Sequence, residues 1–198
     1  MKKRIPVRLL TICAMLTALT VVLNRFGSIH TAGWTIGFSF IPVVAAAILY
    51  GPVTAAVVGG LSDLIGALLF PFGPYFPGFT ATAALMGAVY GWFLYGKDPI
   101  RREKTDRRSK KHRGKRTYAR FFPDVILPTL INNVVLGLYI NTIWVSILYD
   151  SRNYGGWFAY RLPEYAVLVP LNLIFIPILL TVCRRLRKFA GGGVFRDI

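Results

Sequence analysis

Hydrophobic residues fall in long runs along this chain, and short breaks of charged, proline or glycine residues separate the runs. A run of about 20 apolar residues is long enough to cross a bilayer as a helix. The stretch from Ile36 to Phe70 is too long for one crossing, and the break at Gly51 and Pro52 divides it in two. The pattern predicts an all-α membrane protein, a bundle of six transmembrane helices over residues 7–24, 36–50, 52–70, 78–95, 121–148 and 158–183.

The connection between the third and fourth runs has an unusual composition. It reads "FPFGPYFPGFT", with Pro71, Pro74 and Pro77 at every third position and aromatic residues between them. Prolines reduce the conformational freedom that a loop loses on folding. The sequence therefore predicts a stiff, extended loop over 71–77 that presents an aromatic wall at one end of the bundle.

The distribution of charge adds a prediction of topology. The 198 residues are 55% hydrophobic, with 24 Lys and Arg against 8 Asp and Glu, a net charge of +16. Of the 24 basic residues, 21 lie in three segments: 1–8, 97–120 and 184–196. Lys and Arg collect in cytoplasmic segments next to membrane spans. Six spans place all three segments on the cytoplasmic side, so we expect one integral membrane domain, 1–198, with both termini cytoplasmic.

The segment 97–120 is strongly basic and has no apolar face. We expect a solvated cytoplasmic loop that attracts anionic membrane lipids. We expect no binding of nucleic acid, because no aromatic stacking platform accompanies the charge.

Polar residues within the spans are few, and an ionisable residue in a span indicates a function by default. Arg25 ends the first span, Asp63 lies in the third, and Arg161 and Glu164 lie one helical turn apart at the start of the sixth. Structural alternatives stay open: a surface ion pair for Arg161 and Glu164, and an internal hydrogen bond for Asp63. Contacts between helices would equally explain the amides Asn132, Asn133 and Asn172.

Aromatic residues are concentrated in the predicted external segments, as Phe26, Trp34, Tyr75, Phe76, Trp157, Phe158 and Tyr160. A belt of aromatic side chains at the membrane interface is one explanation. These aromatic residues coincide with the stiff loop and with Arg25, which favours a binding pocket as a second explanation. The aromatic residues and the arginine together predict a pocket that stacks a flat heteroaromatic ring and binds an acidic group through bidentate arginine contacts.

Small residues four positions apart occur in several spans, and they let helix backbones approach closely in lipid. Most such pairs are explained by packing within the bundle. Ala14 and Ala18 lie in the cytoplasmic half of the first span, where they offer a notch to a helix of another subunit.

The sequence contains no motif of a phosphate-binding loop, a zinc protease or a serine hydrolase. Cys13 and Cys183 both lie near the predicted reducing cytoplasmic face, so we expect neither a disulfide nor a metal site. We predict that the chain is not an enzyme and carries no cofactor. A membrane-embedded enzyme using Asp63 and Glu164, and a structural membrane scaffold, remain alternatives.

Three segments resemble the substrate-binding S component of energy-coupling factor (ECF) vitamin transporters, in particular its folate-specific branch. They are "VVLNRFGSI", "FSFIPVVAAAILYGPVTAAVVGGLSDLIGALLFP" and "FGPYFPGFTATAALMGAVYG", of which the last is the most specific. "AMLTA", from Ala14 to Ala18, is similar to the Ala-x-x-x-Ala pattern by which such components dock on their coupling subunit. The resemblance covers nearly the whole chain, and the long basic loop 97–120 departs from it.

The resemblance implies a protein of the bacterial plasma membrane that captures folate outside the cell. A shared transmembrane coupling subunit and two cytoplasmic ATPases, which use ATP and Mg, would then drive transport. The same architecture with another vitamin, such as pantothenate or thiamine, remains an alternative.

Folate has a flat pterin ring with a hydrogen-bonding edge and a glutamate tail with two carboxylates. If the resemblance holds, Arg25 or Arg161 binds the tail. Aromatic side chains would flank the ring, namely Tyr75, Phe76 and Phe79, with Trp144 or Trp157 behind them. The pterin edge would be read by Asn133, Asn141 or Glu164.

Overall fold

The computed structural model describes residues 7–31, 34–71, 73–95, 124–149 and 153–189. The predicted basic loop 97–120 lies outside the described residues, as do residues 1–6 and 190–198 at the two ends of the chain.

Six helices and one hairpin make up the described part of the chain. The helices are α1 (Val7–Phe26), α2 (Phe40–Tyr50), α3 (Pro52–Leu69), α4 (Pro77–Leu94), α5 (Asp124–Tyr149) and α6 (Tyr154–Phe189). Four of them, α1, α3, α5 and α6 as far as Cys183, are long and apolar enough to cross a membrane. The prediction of a mostly helical membrane protein is thus confirmed.

A β-hairpin between α1 and α2 was not predicted. Strand β1 (Ser28–Thr31) pairs antiparallel with β2 (Trp34–Gly37). The second run therefore becomes helical at Phe40 and not at Ile36, which pairs with Ile29 in the hairpin. Both strands contain two β-branched residues, which favour strand pairing. As a result α2 has only 11 residues, about 17 Å of helix against a hydrocarbon core of about 30 Å.

Other helix boundaries also differ from the predicted spans. α1 continues past Asn24 to Phe26. α4 begins at Pro77 and not at Gly78, because proline needs no hydrogen-bonded N–H in the first turn of a helix. α6 begins at Tyr154, four residues before the predicted Phe158, and extends to Phe189. The predicted start of the fifth span at residue 121 lies outside the described residues.

The apolar core occupies one end of the bundle. Its buried side chains come from α2, the first turns of α3 and α5 and the last turns of α4 and α6, namely Val44, Ala46, Ala47, Ile48, Ala55, Val58, Tyr90, Leu94, Val125, Ile176, Leu180 and Cys183. The opposite end carries the hairpin, the ends of α1, α3 and α5 and the beginnings of α4 and α6, and we call it the hairpin end. Buried ionisable groups lie there, so apolar packing and polar chemistry are separated along the bundle.

Glycine residues allow α3 and α4 to pack closely against each other. A Cβ at Gly59 would lie 2.6 Å from the carbonyl oxygen of Ala83, and a Cβ at Gly87 would collide with the carbonyl of Ala55. Small residues at both positions let the two backbones touch, as is common between helices in lipid. The contact fixes the register of α3 against α4.

Replacing Gly59 with valine should separate α3 from α4. We expect the free energy of unfolding to fall by about 2–3 kcal/mol, because the added methyl groups meet backbone that cannot move aside. Thermal unfolding in detergent measures the effect. Leu61→Val is the matched control on the same helix, since Leu61 is 44% exposed to the outside of the bundle. Equal midpoints for the two variants would contradict the assignment of this contact.

Candidate ligand-binding site

Arg161 and Glu164 form a buried ion pair on α6 at the hairpin end. Nε of Arg161 lies 3.2 Å from Oε2 of Glu164, and each residue is only 5% exposed. Nη1 of Arg161 donates to the hydroxyl of Thr142 on α5 at 3.3 Å, and Nη2 donates to the hydroxyl of Tyr165 at 2.9 Å. The pair is therefore not a surface pair, and all three guanidinium nitrogens have protein partners.

The second oxygen of Glu164 reaches the hairpin. Oε1 accepts a hydrogen bond of 3.0 Å from the backbone N–H of Thr35 in β2. A single carboxylate thus holds α6 to the hairpin, while its arginine partner holds α6 to α5 through Thr142. The three elements meet at this one cluster.

An aromatic cluster forms where the stiff loop enters α4. The ring of Phe76 lies 6.4 Å from that of Phe79 and 5.4 Å from that of Trp144, measured between centroids. The indole N–H of Trp144 donates to the hydroxyl of Thr82 at 3.0 Å, which fixes the orientation of the indole. The structure therefore brings together three of the five aromatic residues that the sequence predicted for the site.

A second polar cluster surrounds Asp63 on the opposite side of α4. The hydroxyl of Thr80 donates to Oδ2 of Asp63 at 2.7 Å, and the hydroxyl of Tyr75 lies 3.3 Å from that of Thr80. The guanidinium of Arg25 packs on α3 at Gly66, where a Cβ would come within 3.0 Å of Nε and Nη2. Two predicted ligand residues therefore lie near Asp63: Tyr75 next to its partner Thr80, and Arg25 at Gly66, one helical turn further along α3.

Of the remaining predicted residues, Trp157 and Asn133 lie outside these clusters, whereas Asn141 interacts with Tyr165 beside Arg161. Trp157 packs against Tyr149 at 5.5 Å and Tyr160 at 6.0 Å, forming a separate aromatic group near the start of α6. Asn141 begins the last segment of α5, three residues before Trp144. Asn133 lies about three helical turns before Trp144 in α5, nearer to the apolar core.

Asn133 belongs to a group of amides that connects three helices. Asn172 on α6 donates to the side-chain oxygen of Asn133 at 3.0 Å, and Asn132 donates to the backbone carbonyl of Met86 on α4 at 3.0 Å. Both α5 residues lie in a π-helical stretch, Ile131–Ile140. This geometry agrees with the structural alternative for Asn132, Asn133 and Asn172, that of contacts between helices.

Ala14 and Ala18 lie in α1, and both are exposed on the outside of the bundle. No other helix of the described structure covers them, as a docking notch requires.

Several residues of the site were missed from the sequence. Tyr165 follows Arg161 by one helical turn, so helical spacing could have identified it. Thr80 and Thr82 lie in the first turns of α4. The sequence did not indicate them as site residues, because a threonine hydroxyl in a helix often bonds only to the backbone of its own helix. Thr35 contributes its backbone N–H, which no sequence motif encodes.

A family model matches this chain over residues 4–113, and it describes the S component of the ECF-type riboflavin transporter. Among individual proteins, the folate transporter FolT of Clostridium novyi is 36% identical over 163 residues, 82% of each chain. FolT of Leuconostoc mesenteroides is 28% identical over 176 residues, covering 88% of this chain and 82% of that protein.

Two solved structures share the fold. A crystal structure of FolT bound with folic acid is 31% identical, with a TM-score of 0.68 over 86% of this chain and 93% of the other. An S component for biotin from an ECF-type ABC transporter is 18% identical, with a TM-score of 0.58 over 92% of both chains. The first supports relatedness in sequence and fold, and the second supports the fold alone.

These matches are to transporter subunits, so the expectation that the chain is not an enzyme is confirmed. The alternative of an enzyme using Asp63 and Glu164 also lacks a common site. Asp63 belongs to the cluster with Thr80, and Glu164 belongs to the cluster with Arg161.

Removing the guanidinium of Arg161 should leave Glu164 buried without its counter-charge. We expect Arg161→Ala to lower the free energy of unfolding by about 3–5 kcal/mol. The double variant Arg161→Ala/Glu164→Gln should recover part of that loss, because the buried charge is gone. Thermal unfolding in detergent tests both. A double variant no more stable than the single one would show that the ion pair is not the source of the loss.

Proposed function

Because this chain belongs to the family of S components of ECF-type transporters, we propose that it is the subunit that binds folate at the outer face of the membrane. The assignment to folate is supported by two relatives named as folate transporters, each matched over more than four fifths of this chain. The chain would capture the vitamin and release it through partner subunits, without chemistry of its own.

We propose that all six helices cross the bilayer of the bacterial plasma membrane as one domain, 1–198, with both termini cytoplasmic. The concentration of basic residues in 1–8, 97–120 and 184–196 supports this orientation. The hairpin end then faces outward. The basic loop 97–120 lies at the cytoplasmic surface, where it attracts anionic lipids.

The observation that carries the proposal is the position of the aromatic cluster beside buried polar groups at the hairpin end. Phe76, Phe79 and Trp144 offer ring faces and edges to a flat heteroaromatic ring. Asn141 and Glu164, on the neighbouring turns of α5 and α6, supply groups for the pterin edge. Tyr75 and Trp157 complete the aromatic surroundings, and Asn133 lies too deep in the bundle to be assigned a ligand contact.

We assign the glutamate tail to Arg25 in preference to Arg161. The nitrogens of Arg161 already donate to Glu164, Thr142 and Tyr165 within the protein. Arg25 ends α1 and is only partly buried, so a ligand carboxylate can approach its guanidinium. Arg161 then serves to shape the pocket and to fix Glu164.

The partners in this proposal are the coupling subunit and two cytoplasmic ATPases, which bind ATP and Mg. This chain itself needs no cofactor. Ala14 and Ala18 on the exposed face of α1 form the proposed contact with a helix of the coupling subunit.

Riboflavin is a second candidate ligand, because the matched family model is that of a riboflavin transporter. It shares a flat ring system with folate but carries no carboxylate. Pantothenate has a carboxylate without an aromatic ring, and thiamine is a cation. The contribution of Arg25 to binding therefore distinguishes folate from riboflavin and thiamine, and the contribution of the aromatic cluster distinguishes folate from pantothenate.

Purified protein should bind folate in preference to riboflavin, pantothenate and thiamine. Arg25→Ala should weaken folate binding about 10–100-fold, the loss of charge-assisted hydrogen bonds worth about 1.5–3 kcal/mol. Isothermal titration with the four vitamins measures this. Arg185→Ala is the matched control, since Arg185 is exposed at the other end of α6. Preferential binding of riboflavin, or no loss in Arg25→Ala, would contradict the folate assignment or the arginine assignment respectively.

Bulky residues at the docking notch should prevent assembly without affecting ligand binding. We expect the variant Ala14→Trp/Ala18→Trp to fail to co-purify with the coupling subunit and ATPases while folate affinity is unchanged, because Ala14 and Ala18 lie about three and two helical turns before Arg25. Met15→Trp is the control, since Met15 is 68% exposed but points in a different direction around the helix. Normal assembly of the double variant would remove the notch from the interface.

A further inference from the structure

We propose that Asp63 is a positioning residue of the folate site, which holds Arg25 through its charge and Tyr75 through the hydroxyl of Thr80. The inference rests on the proposed function, since Arg25 and Tyr75 are residues of the proposed pocket. Asp63 itself need not touch the ligand.

The first connection runs from Asp63 to the stiff loop. Thr80 lies in the first turn of α4 and donates to Oδ2 of Asp63 at 2.7 Å, a short bond of the kind that a charged acceptor makes. The hydroxyl of Tyr75 lies 3.3 Å from the same threonine hydroxyl. Tyr75 is 42% exposed, so its ring is held at one point while its face remains open.

The second connection runs from Asp63 to the end of α1. Gly66 follows Asp63 by three residues, and the two share one face of α3. The guanidinium of Arg25 packs directly on Gly66, where the absence of a side chain lets it approach α3. Arg25 and Asp63 also interact through their charges. The guanidinium of Arg25 thus lies against α3, close enough to the carboxylate of Asp63 for their charges to attract each other.

The membrane gives this arrangement its physical reason. A charged group in the apolar part of a bilayer needs an internal counter-charge. Arg25 provides one for Asp63, and Asp63 restricts the orientations that the long arginine side chain adopts. A guanidinium has five donors, so one carboxylate can orient it without occupying every donor. Fixing a binding group before the ligand arrives lowers the entropy lost on binding.

The two connections depend on different properties of Asp63. Arg25 needs the negative charge, whereas Thr80 needs only a hydrogen-bond acceptor. Asparagine in place of Asp63 keeps an acceptor but removes the charge, so it acts on Arg25. Valine in place of Thr80 keeps the shape of the side chain and removes the hydroxyl, so it acts on Tyr75.

Binding of folate and of pteroate separates these effects, because pteroate keeps the pterin ring and a benzoate carboxylate but lacks the glutamate, whose two carboxylates are the proposed partners of Arg25. We expect Asp63→Asn to weaken folate binding about tenfold and to change pteroate binding by less than about twofold, as loss of an orienting partner does. We expect Thr80→Val to weaken both ligands by a similar factor of about three to ten, because the ring contact is common to both. Isothermal titration of each purified variant gives the four ratios.

Two control variants report on unrelated effects. Thr181→Val removes a hydroxyl that bonds only to the carbonyl of Pro177 in its own helix, so both affinities should be unchanged. Asp124→Asn removes a carboxylate at the opposite end of the bundle and should likewise preserve both.

Each outcome decides between the inference and its alternatives. An equal loss for folate and pteroate in Asp63→Asn would make Asp63 a general structural residue. A gain in folate affinity would show that Asp63 competes with the ligand for Arg25. If the wild-type protein binds no folate, the proposed function fails. If it binds folate and both Asp63→Asn affinities match those of the wild type, only the positioning role fails.

Discussion

A guanidinium and a carboxylate that leave water together must satisfy each other and find partners for the groups that remain. Arg161 and Glu164 do so by bonding to Thr142 on α5, Tyr165 on α6 and the backbone of Thr35 in the hairpin. Inside the protein little solvent competes for these groups, so the pair binds α5, α6 and the hairpin together. One carboxylate oxygen connects the hairpin to α6.

Apolar packing and polar contacts lie at opposite ends of the bundle. The apolar core packs at one end, and the glycine contacts between α3 and α4 fix the register of these two helices. That register places Asp63 opposite Thr80, and so determines which loop residue the carboxylate reaches. Tight packing in one half of the molecule thus supports polar groups in the other half, where a shift of about 1 Å takes a hydrogen bond beyond its normal length.

Much of the fold could be predicted from the sequence because it depends on local composition. Apolar runs gave the helices, and Gly51 and Pro52 gave the break between α2 and α3. The hairpin was missed because strands of four residues carry too few positions for an alternating pattern. Within the site, Phe76 and Phe79 are near neighbours in sequence, whereas the bond from Thr80 to Asp63 depends on the packing of two helices. The sequence can indicate such residues individually, but it does not show which of them are in contact.

The fixed orientation of Trp144 makes its intrinsic fluorescence a probe of the aromatic cluster. The indole is held by Thr82 and lies against Phe76, so it reports on the aromatic cluster from a fixed distance. Trp92, by contrast, is 79% exposed on the outside of the bundle and reports on the surroundings of the protein. Changing Trp92 to phenylalanine therefore removes a signal from the lipid side without disturbing the cluster. Indole fluorescence then becomes a means of following, in real time and without a label, when a light-absorbing ring occupies the site.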